Sequence, residues 1–416
     1  MKVLYSTRLF SGLESSFING IWKPTGVPTI YRVIETLDNK YDMKFIFSAK
    51  DNGNGHFSSW HCKKDLEFSI VGLKHPIKIL SGVNIFPPWL PRKVLMIFRD
   101  IRQLIKVIIE IIKFKPDVIY CDHANTLVAA VMARYQRNIP VVFRVMGVYP
   151  FMRSALSSTK IIHKIYRWAY SSPFALVICT QDGSGVEPWL DNAINNNTKI
   201  EVLLNGVDEI TLPDILDDRL KLVSKKKDII IFVGKLERYK GCYEFVESVL
   251  LILEKEMDKA HALIIGTGSE ERQLKKLVEN SGHLNCFTFI DRLPHEQIAA
   301  AHKISEIYVS MNHLGNLSNA NLEAIQSDSC MVIPDPQPET GVDVVTSNLL
   351  GESVIKTPIN NANKLSEVLN YLINHNGERV KLSQAVNVIK KDFLWSWNRR
   401  IELEVKLLEN LVRINT

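Results

Sequence analysis

Short β-branched runs alternate with helix-length segments from one end of the chain to the other. In the first half the runs fall at Lys2–Tyr5, Lys44–Phe47, Asp117–Cys121, Pro140–Arg144, Leu176–Cys179 and Ile200–Leu203. In the second half they fall at Asp228–Val233, Ala262–Ile265, Cys286–Ile290, Glu306–Ser310, Met331–Ile333 and Ser353–Ile355. Between them, Thr29–Leu37, Asn125–Tyr135, Cys242–Glu256, Glu270–Asn280 and Ala362–Ile373 repeat apolar residues at helical spacing. Strand–helix–strand alternation of this kind makes parallel, doubly wound sheets, and the pattern restarts near Asp228. The charged stretch Glu209–Lys227, with one Pro, reads as the linker. The pattern predicts an α/β protein of two Rossmann-like domains, residues 1–208 and 209–394. A last helix over residues 395–416, opened by Trp395-Ser-Trp397, is expected to cross between them and pack back on the first. Sheets of this type place ligands at the carboxyl ends of their strands, so two facing sheets predict a central cleft.

Length agrees with two cores, since 416 residues exceed what one hydrophobic core supports. No run of about 18 uncharged apolar residues occurs, which predicts no spanning helix. The start, Met1-Lys2-Val3-Leu4-Tyr5-Ser6, has no signal-peptide pattern. The six cysteines (62, 121, 179, 242, 286, 330) lie far apart without metal-ligand spacing, which fits a reduced cytoplasmic compartment and predicts no metal site. The net charge of +6 hides an asymmetry. Up to Asn205 there are 26 Lys and Arg against 15 Asp and Glu, a balance of +11; the remainder has 25 against 30, a balance of −5. The basic half suggests phosphates or an anionic surface; without zinc-finger, RGG or aromatic-basic modules, nucleic acid is not the expected partner.

Four turns carry the candidate chemistry. Phe232-Val-Gly234-Lys235-Leu-Glu-Arg238-Tyr-Lys240-Gly241 is a strand ending in Gly, then a loop with three cations that opens a helix. Free backbone N–H groups, the positive end of a helix and flanking Lys side chains suit a diphosphate, although a solvated basic loop reads the same. The next strand ends Gly266-Thr-Gly268, and the one after runs into Asp291-Arg292-Leu293-Pro294. The fourth turn is Asn312-His-Leu-Gly315-Asn316-Leu317-Ser318-Asn319-Ala-Asn-Leu-Glu323. Its helix is predicted to start near Ser318 or Asn319, placing Glu323 about one turn inside. There a carboxylate either complements the helix dipole or accepts hydrogen bonds from two ribose hydroxyls.

These four turns, in this order, resemble the nucleotide-sugar-binding domain of the group 1 retaining glycosyltransferases, which have the GT-B fold. The family pattern is G-R-x-x-x-K-G, then G-x-G, a base-framing turn, and E-x7-E opening a helix. Leu204-Asn205-Gly206-Val207-Asp208 resembles the family's P-N-G-V-D without its Pro. By this resemblance Lys240 matches the diphosphate-binding Lys, with Lys235 in place of the Arg. Gly234 and Gly266 form the turns, and the main chain at Arg292 and Leu293 frames the base. Leu317, Ser318 and Asn319 face phosphate through their N–H groups, and Glu323 is the ribose ligand. The first glutamate falls at Gly315, so its work is expected of a neutral neighbour, Asn316, His313 or Asn312. Lys235, Lys240 and Asn316 are the expected catalytic set.

In the first half, Phe10–Gly26 reads as a long polar loop in the place of the family's glycine-rich loop, with Gly26 at its end. Arg144-Val-Met146-Gly147 stands at a strand end where many members have His-Gly. Gly26, His123, Arg144 and Gly147 are the acceptor-side candidates. Residues 92–115 repeat apolar and basic residues at helical spacing, which suits a helix at an anionic membrane surface or one buried on the sheet with its cations reaching solvent. The resemblance implies a metal-independent, cofactor-free transferase, cytoplasmic and peripheral to the membrane. It would take a nucleotide sugar (UDP-sugar first, GDP-mannose next) and a saccharide or lipid-linked acceptor. The rival reading is a degenerate member that binds nucleotide sugar or glycan without transfer.

Overall fold

The computed structural model describes residues 1–50, 63–87, 89–136 and 138–415. Cys62 lies outside them, and the other five cysteines are buried and form no disulfide among the described residues. The chain forms two compact units: Met1–Thr180 with Trp189–Leu203 and Asn398–Thr416, and Gln181–Pro188 with Leu204–Trp397.

The first unit is built on strands Lys2–Leu9 (β1), Asp42–Ala49 (β2), Leu66–Phe68 (β3), Ile77–Leu80 (β4), Val118–Asp122 (β5), Val141–Val145 (β6), Leu176–Gln181 (β7) and Lys199–Leu204 (β8). They lie in the order β3-β4-β2-β1-β5-β6-β7-β8, with β3 antiparallel to β4. The inner strands are buried along their length, so they read as unbroken apolar runs rather than alternating ones. Three expectations need correction. The predicted loop Phe10–Gly26 contains a helix, Ser11–Asn19, because Leu13 and Phe17 are core residues one turn apart. The strands β3 and β4 were absent from the sequence reading. Gln181–Pro188 belongs to the second unit rather than to 1–208, because its backbone is bonded there: Leu317 N donates to Asp182 O at 3.0 Å and Asp343 N to Gly183 O at 2.7 Å.

The second unit begins with Gly206–Val207 (β9), which pairs in parallel with Trp395–Ser396 (β16). Its main sheet comprises Ile229–Val233 (β10), His261–Ile265 (β11), Phe287–Ile290 (β12), Ile307–Val309 (β13), Met331–Pro334 (β14) and Ile355–Thr357 (β15). The order is β12-β11-β10-β13-β14-β15, all parallel. Alternate residues of the central strands feed two cores. Ile230, Phe232 and Ile264 join Phe245, Val249 and Leu274 on one face. Ile229, Ile231 and Tyr308 join Leu220, Leu322 and Ile325 on the other. The order reverses between β10 and β13, which leaves a crevice at their carboxyl ends. Two further readings shift. The predicted linker holds the helix Asp218–Val223, whose Leu220 and Val223 are core residues. The last strand starts at Ile355 rather than Ser353, because residues Gly351–Ser353 form a 3-10 turn with Ser353 Oγ donating to Leu350 O at 2.5 Å.

The chain leaves the second unit at Trp397, and Asn398–Thr416 belongs to the first. There Arg400 and Glu404 are fully buried and ion-paired at 2.5 Å.

Candidate functional site

At the carboxyl end of β10 the chain turns through Gly234 and Lys235, and a short 3-10 turn, Arg238–Lys240, leads into the helix Cys242–Leu253. This turn lies backbone to backbone on the turn after β11: Gly234 N donates to Ile265 O and Leu236 N to Thr267 O, both at 3.0 Å. Gly266 is required for that approach. Its φ is +146°, and a Cβ there would lie 1.8 Å from the Gly234 carbonyl oxygen. Lys235 is exposed and Lys240 half-buried. Burial pushes the Lys240 ammonium down; Asp182 opposes this and Lys235 adds to it. A desolvated cation with a second cation beside it is poised for an anionic guest.

The adjoining turn after β13 is locked from within. Asn316 is fully buried, and its amide donates to Asp343 Oδ2 at 2.6 Å and to Asn312 O at 2.8 Å, while accepting from Ser310 Oγ at 2.7 Å. Its backbone N–H donates to Asp343 Oδ1 at 2.7 Å. With the amide committed at both ends, Asn316 holds the loop together, which corrects its place in the expected catalytic set. Asn312 also serves the loop, its amide donating to the Gly315 carbonyl and its Oδ1 accepting from Leu314 N. His313 Nε2 lies 3.0 Å from the buried Glu244 carboxylate, whose other oxygen accepts from Asn360 N. Gly315 has φ +129°, and a Cβ there would stand 2.5 Å from the Asp182 carbonyl oxygen and 2.6 Å from the Ser184 nitrogen. No side chain fits at Gly315, where the resemblance places a first glutamate.

A carboxylate is nonetheless close by. Asp182, half-buried at the end of β7, accepts from Ser184 N at 3.0 Å and interacts electrostatically with Lys240. Burial raises its carboxyl to about 6 against the pull of Ser184 and Lys240. Asp343 is likewise raised to about 6 by burial, opposed by its bonds from Asn316 and Thr346. Neither acid was picked out from the sequence. The signal available was Thr180-Gln-Asp182-Gly-Ser-Gly185, a carboxylate set among glycines at a strand end.

The helix Asn319–Gln326 starts at the Ser318 cap, and Asn205 Nδ2 donates to Asn319 Oδ1 at 2.7 Å, tying the Asn205-Gly-Val-Asp208 stretch to it. Leu317 is buried and donates its N–H to Asp182 O, so that N–H is not open to a phosphate, contrary to expectation. Glu323 lies one turn inside the helix. Burial raises its carboxyl; His295, 3.7 Å away, lowers it and Asp208 raises it further. It lines a cavity of about 600 Å³ together with residues 208–215 and the helix His295–Lys303. At the entrance to that helix Arg292 is exposed and Leu293 is buried.

The acceptor-side candidates of the first unit are less uniform. Arg144 is buried: its Nε lies 3.3 Å from Glu404 Oε1 and its Nη2 donates to Thr180 Oγ1 at 2.7 Å. Its guanidinium is turned into the core, which corrects the acceptor-side expectation. His123 is half-buried beneath the Tyr149 ring, with centroids 5.6 Å apart, and burial lowers its basicity. Gly147 is buried and Gly26 exposed, both with positive φ. Gly12, in the helix Ser11–Asn19, accepts from Thr25 N at 2.9 Å through its carbonyl.

Comparison with known proteins gives two family matches. Residues 215–387 match the glycosyl transferases group 1 and residues 62–209 match glycosyltransferase family 4. Each matched stretch covers less than half of the chain, and both are models of glycosyltransferases. The chain has the GT-B fold, and its second half is similar to the group 1 glycosyltransferases. The group 1 stretch contains the lysine turn, Gly315, Glu323 and Asp343, and the family 4 stretch contains Asp182 and His123. Two uncharacterised glycosyltransferases of Methanocaldococcus jannaschii are similar in sequence. One is 25% identical over 54% of this chain and 55% of its own, the other 21% identical over 46% and 54%. The chain thus spans about half the length of these relatives. The fold is shared with sucrose-phosphate synthase of Thermosynechococcus elongatus, at a TM-score of 0.70, 14% identity and full coverage of both chains. It is also shared with Anabaena HepE in complex with UDP, at 0.66 and 14%, covering 99% of this chain and 100% of that one.

Proposed function

We propose that this chain is a group 1 glycosyltransferase that transfers a hexose or N-acetylhexosamine from a nucleoside-diphosphate sugar to a hydroxyl of a glycan or lipid-linked saccharide at a membrane face, with retention of configuration and without a metal. A UDP-sugar is the favoured donor, supported by the UDP and UDP-glucose held by HepE, with GDP-mannose next. The observation that carries the reading is the pair Lys235 and Lys240 on the turn after β10, beside the Ser318 helix start, at the point where the strand order reverses.

In the proposed reaction the bond from the anomeric carbon to the β-phosphate oxygen breaks as the acceptor oxygen bonds to the same face. The acceptor proton passes to the departing diphosphate. Lys240 and Lys235 stabilise the charge that develops there, and Glu323 accepts hydrogen bonds from the ribose hydroxyls. Asp182 takes over the carboxylate position vacated at Gly315, reaching the site from the end of β7.

A second reading, nucleotide-sugar or glycan binding without transfer, is favoured by Gly315 and by the sealed Asn316 amide. Donor hydrolysis and transfer measured in EDTA on the wild type and Lys240→Ala separate the two. Turnover lost in the variant supports transfer; equal turnover in both removes the role given to Lys240. Nucleotide binding with no turnover on any donor supports the binding protein.

A further inference from the structure

The helix Arg92–Phe114 of the first unit has apolar residues on both sides. Its buried stripe is mixed, Leu95, Val107 and Ile111 alternating with Arg99, Gln103 and Glu110. Gln103 donates to the carbonyls of Ala49 and Ser81 at 3.0 and 3.1 Å, and Glu110 pairs with Lys78 at 2.6 Å and Lys44 at 3.3 Å. The opposite side is apolar and uncovered: Ile97 is 57% exposed, Ile101 50%, Ile105 52% and Ile112 66%. A surface helix of a globular domain turns charged and polar residues outward instead. Phe86, Phe98, Ile101 and Ile105, with Arg102 and Lys106, line an open groove of about 380 Å³ on this side.

The helix Ile161–Tyr170 continues the pattern, with Ile161, Ile162, Ile165 and Trp168 exposed. The two helices are neighbours, since Tyr166 lines one small cavity with Arg99 and Asp100. The exposed charges on and beside these two helices have one sign. Both acids of the long helix turn away from it, Glu110 as above and Asp100 to Lys50 at 3.0 Å. Arg92, Lys93, Lys106, Lys113, Lys160 and Lys164 are exposed, and from Phe151 to Tyr170 there is no Asp or Glu.

We propose that this face docks on an anionic lipid bilayer, with the long helix lying in the plane of the interface. Apolar side chains enter the headgroup boundary while flanking cations meet anionic lipid, which suits a helix of strong amphipathicity. Among the described residues no helix is long and apolar enough to cross a membrane. A second copy of the chain fits worse, because a two-fold interface would set this basic patch against itself. The inference gives the membrane face of the proposed function a docking surface and does not rest on transfer, since vesicle binding requires no turnover.

Co-flotation of the full chain with vesicles tests it. The wild type is expected to float with phosphatidylcholine vesicles containing phosphatidylglycerol, to bind roughly tenfold or more weakly to phosphatidylcholine alone, and to be released by salt. Ile101→Asp with Ile105→Asp is expected to abolish flotation with an unchanged melting temperature, while Val388→Asp, an exposed apolar site of the second unit, floats like the wild type. A wild type that stays unbound on both vesicles overturns the proposal. So does a dimer in solution that the Ile101/Ile105 pair dissociates, which would make the face an interface between copies.

Discussion

Gly315 lies against Asp182 so closely that a Cβ on the glycine would stand 2.5 Å from the Asp182 carbonyl oxygen. The first glutamate that the resemblance places here is therefore not simply lost; its position is filled by backbone. Gly315→Glu combines a left-handed φ of +129° with a clash against main chain, and the expected cost is roughly 2–5 kcal/mol. Urea unfolding checks it. Gly315→Glu with wild-type stability and faster transfer would show instead that the glutamate has been removed from an open site.

Asp182 follows from the same packing. If it serves as the site's carboxylate it must be ionised, and its carboxyl is raised to about 6. The rate at saturating donor is expected to rise between pH 5 and 7 with an inflection near 6, and Asp182→Asn to be slow and flat across that window. A variant with the wild-type profile removes Asp182 from the mechanism.

Asp343 accepts from the Asn316 main chain, the Asn316 amide and Thr346. Its carboxyl, raised from 3.8 to about 6, holds a proton in the folded chain at pH values where the unfolded chain has lost it. Its contribution to stability is thus largest at acid pH and falls as pH rises through that window, by on the order of 2–3 kcal/mol. Asp343→Asn is expected to flatten the dependence between pH 4 and 7 by about that amount in urea midpoints. Parallel pH dependence in both proteins would contradict it.

Glu404 behaves in the opposite sense. Burial pushes its carboxyl up, but Arg400 and Arg144 together outweigh burial and hold it below the ordinary range. The stability it contributes is present above the unfolded value and is lost as pH falls through the folded one. Glu404→Gln leaves two guanidinium groups buried without a counter-charge, and the expected loss near neutral pH is about 3–5 kcal/mol, shrinking in acid. Thermal melts at pH 7 and pH 4 check both parts; a loss independent of pH would contradict the second.

The alternation of strand and helix was legible because each buried strand, such as Ile229–Val233, is a continuous apolar run beside a Gly turn. The four carboxyl-end turns could be read for the same reason. What escaped was set by long-range partners. The helix Ser11–Asn19 looks polar until Leu13 and Phe17 meet the core. Arg144 looked like a strand-end ligand because Glu404 lies far away in sequence and only folding brings the two together. The helix from Arg92 has the periodicity of either a core or a membrane helix, and only its inward Gln103 and Glu110 show which side is uncovered. Asp182 was invisible because the segment that carries it joins the second unit across more than a hundred residues.

The central claim is that the turn from Gly234 to Gly241 and the helix carrying Glu323 hold a nucleoside diphosphate. Thermal-shift titration with UDP, GDP and ADP on the wild type, Lys240→Ala and Glu323→Ala tests it most directly. At about 100 times its dissociation constant a true ligand adds roughly 2.7 kcal/mol, a rise of several degrees for a unit of this size. The account predicts that rise with one nucleotide, UDP first, and its loss in Lys240→Ala; Glu323→Ala should lose the ribose-dependent part. No shift with any nucleotide or nucleotide sugar, or an undiminished shift in Lys240→Ala, would contradict it.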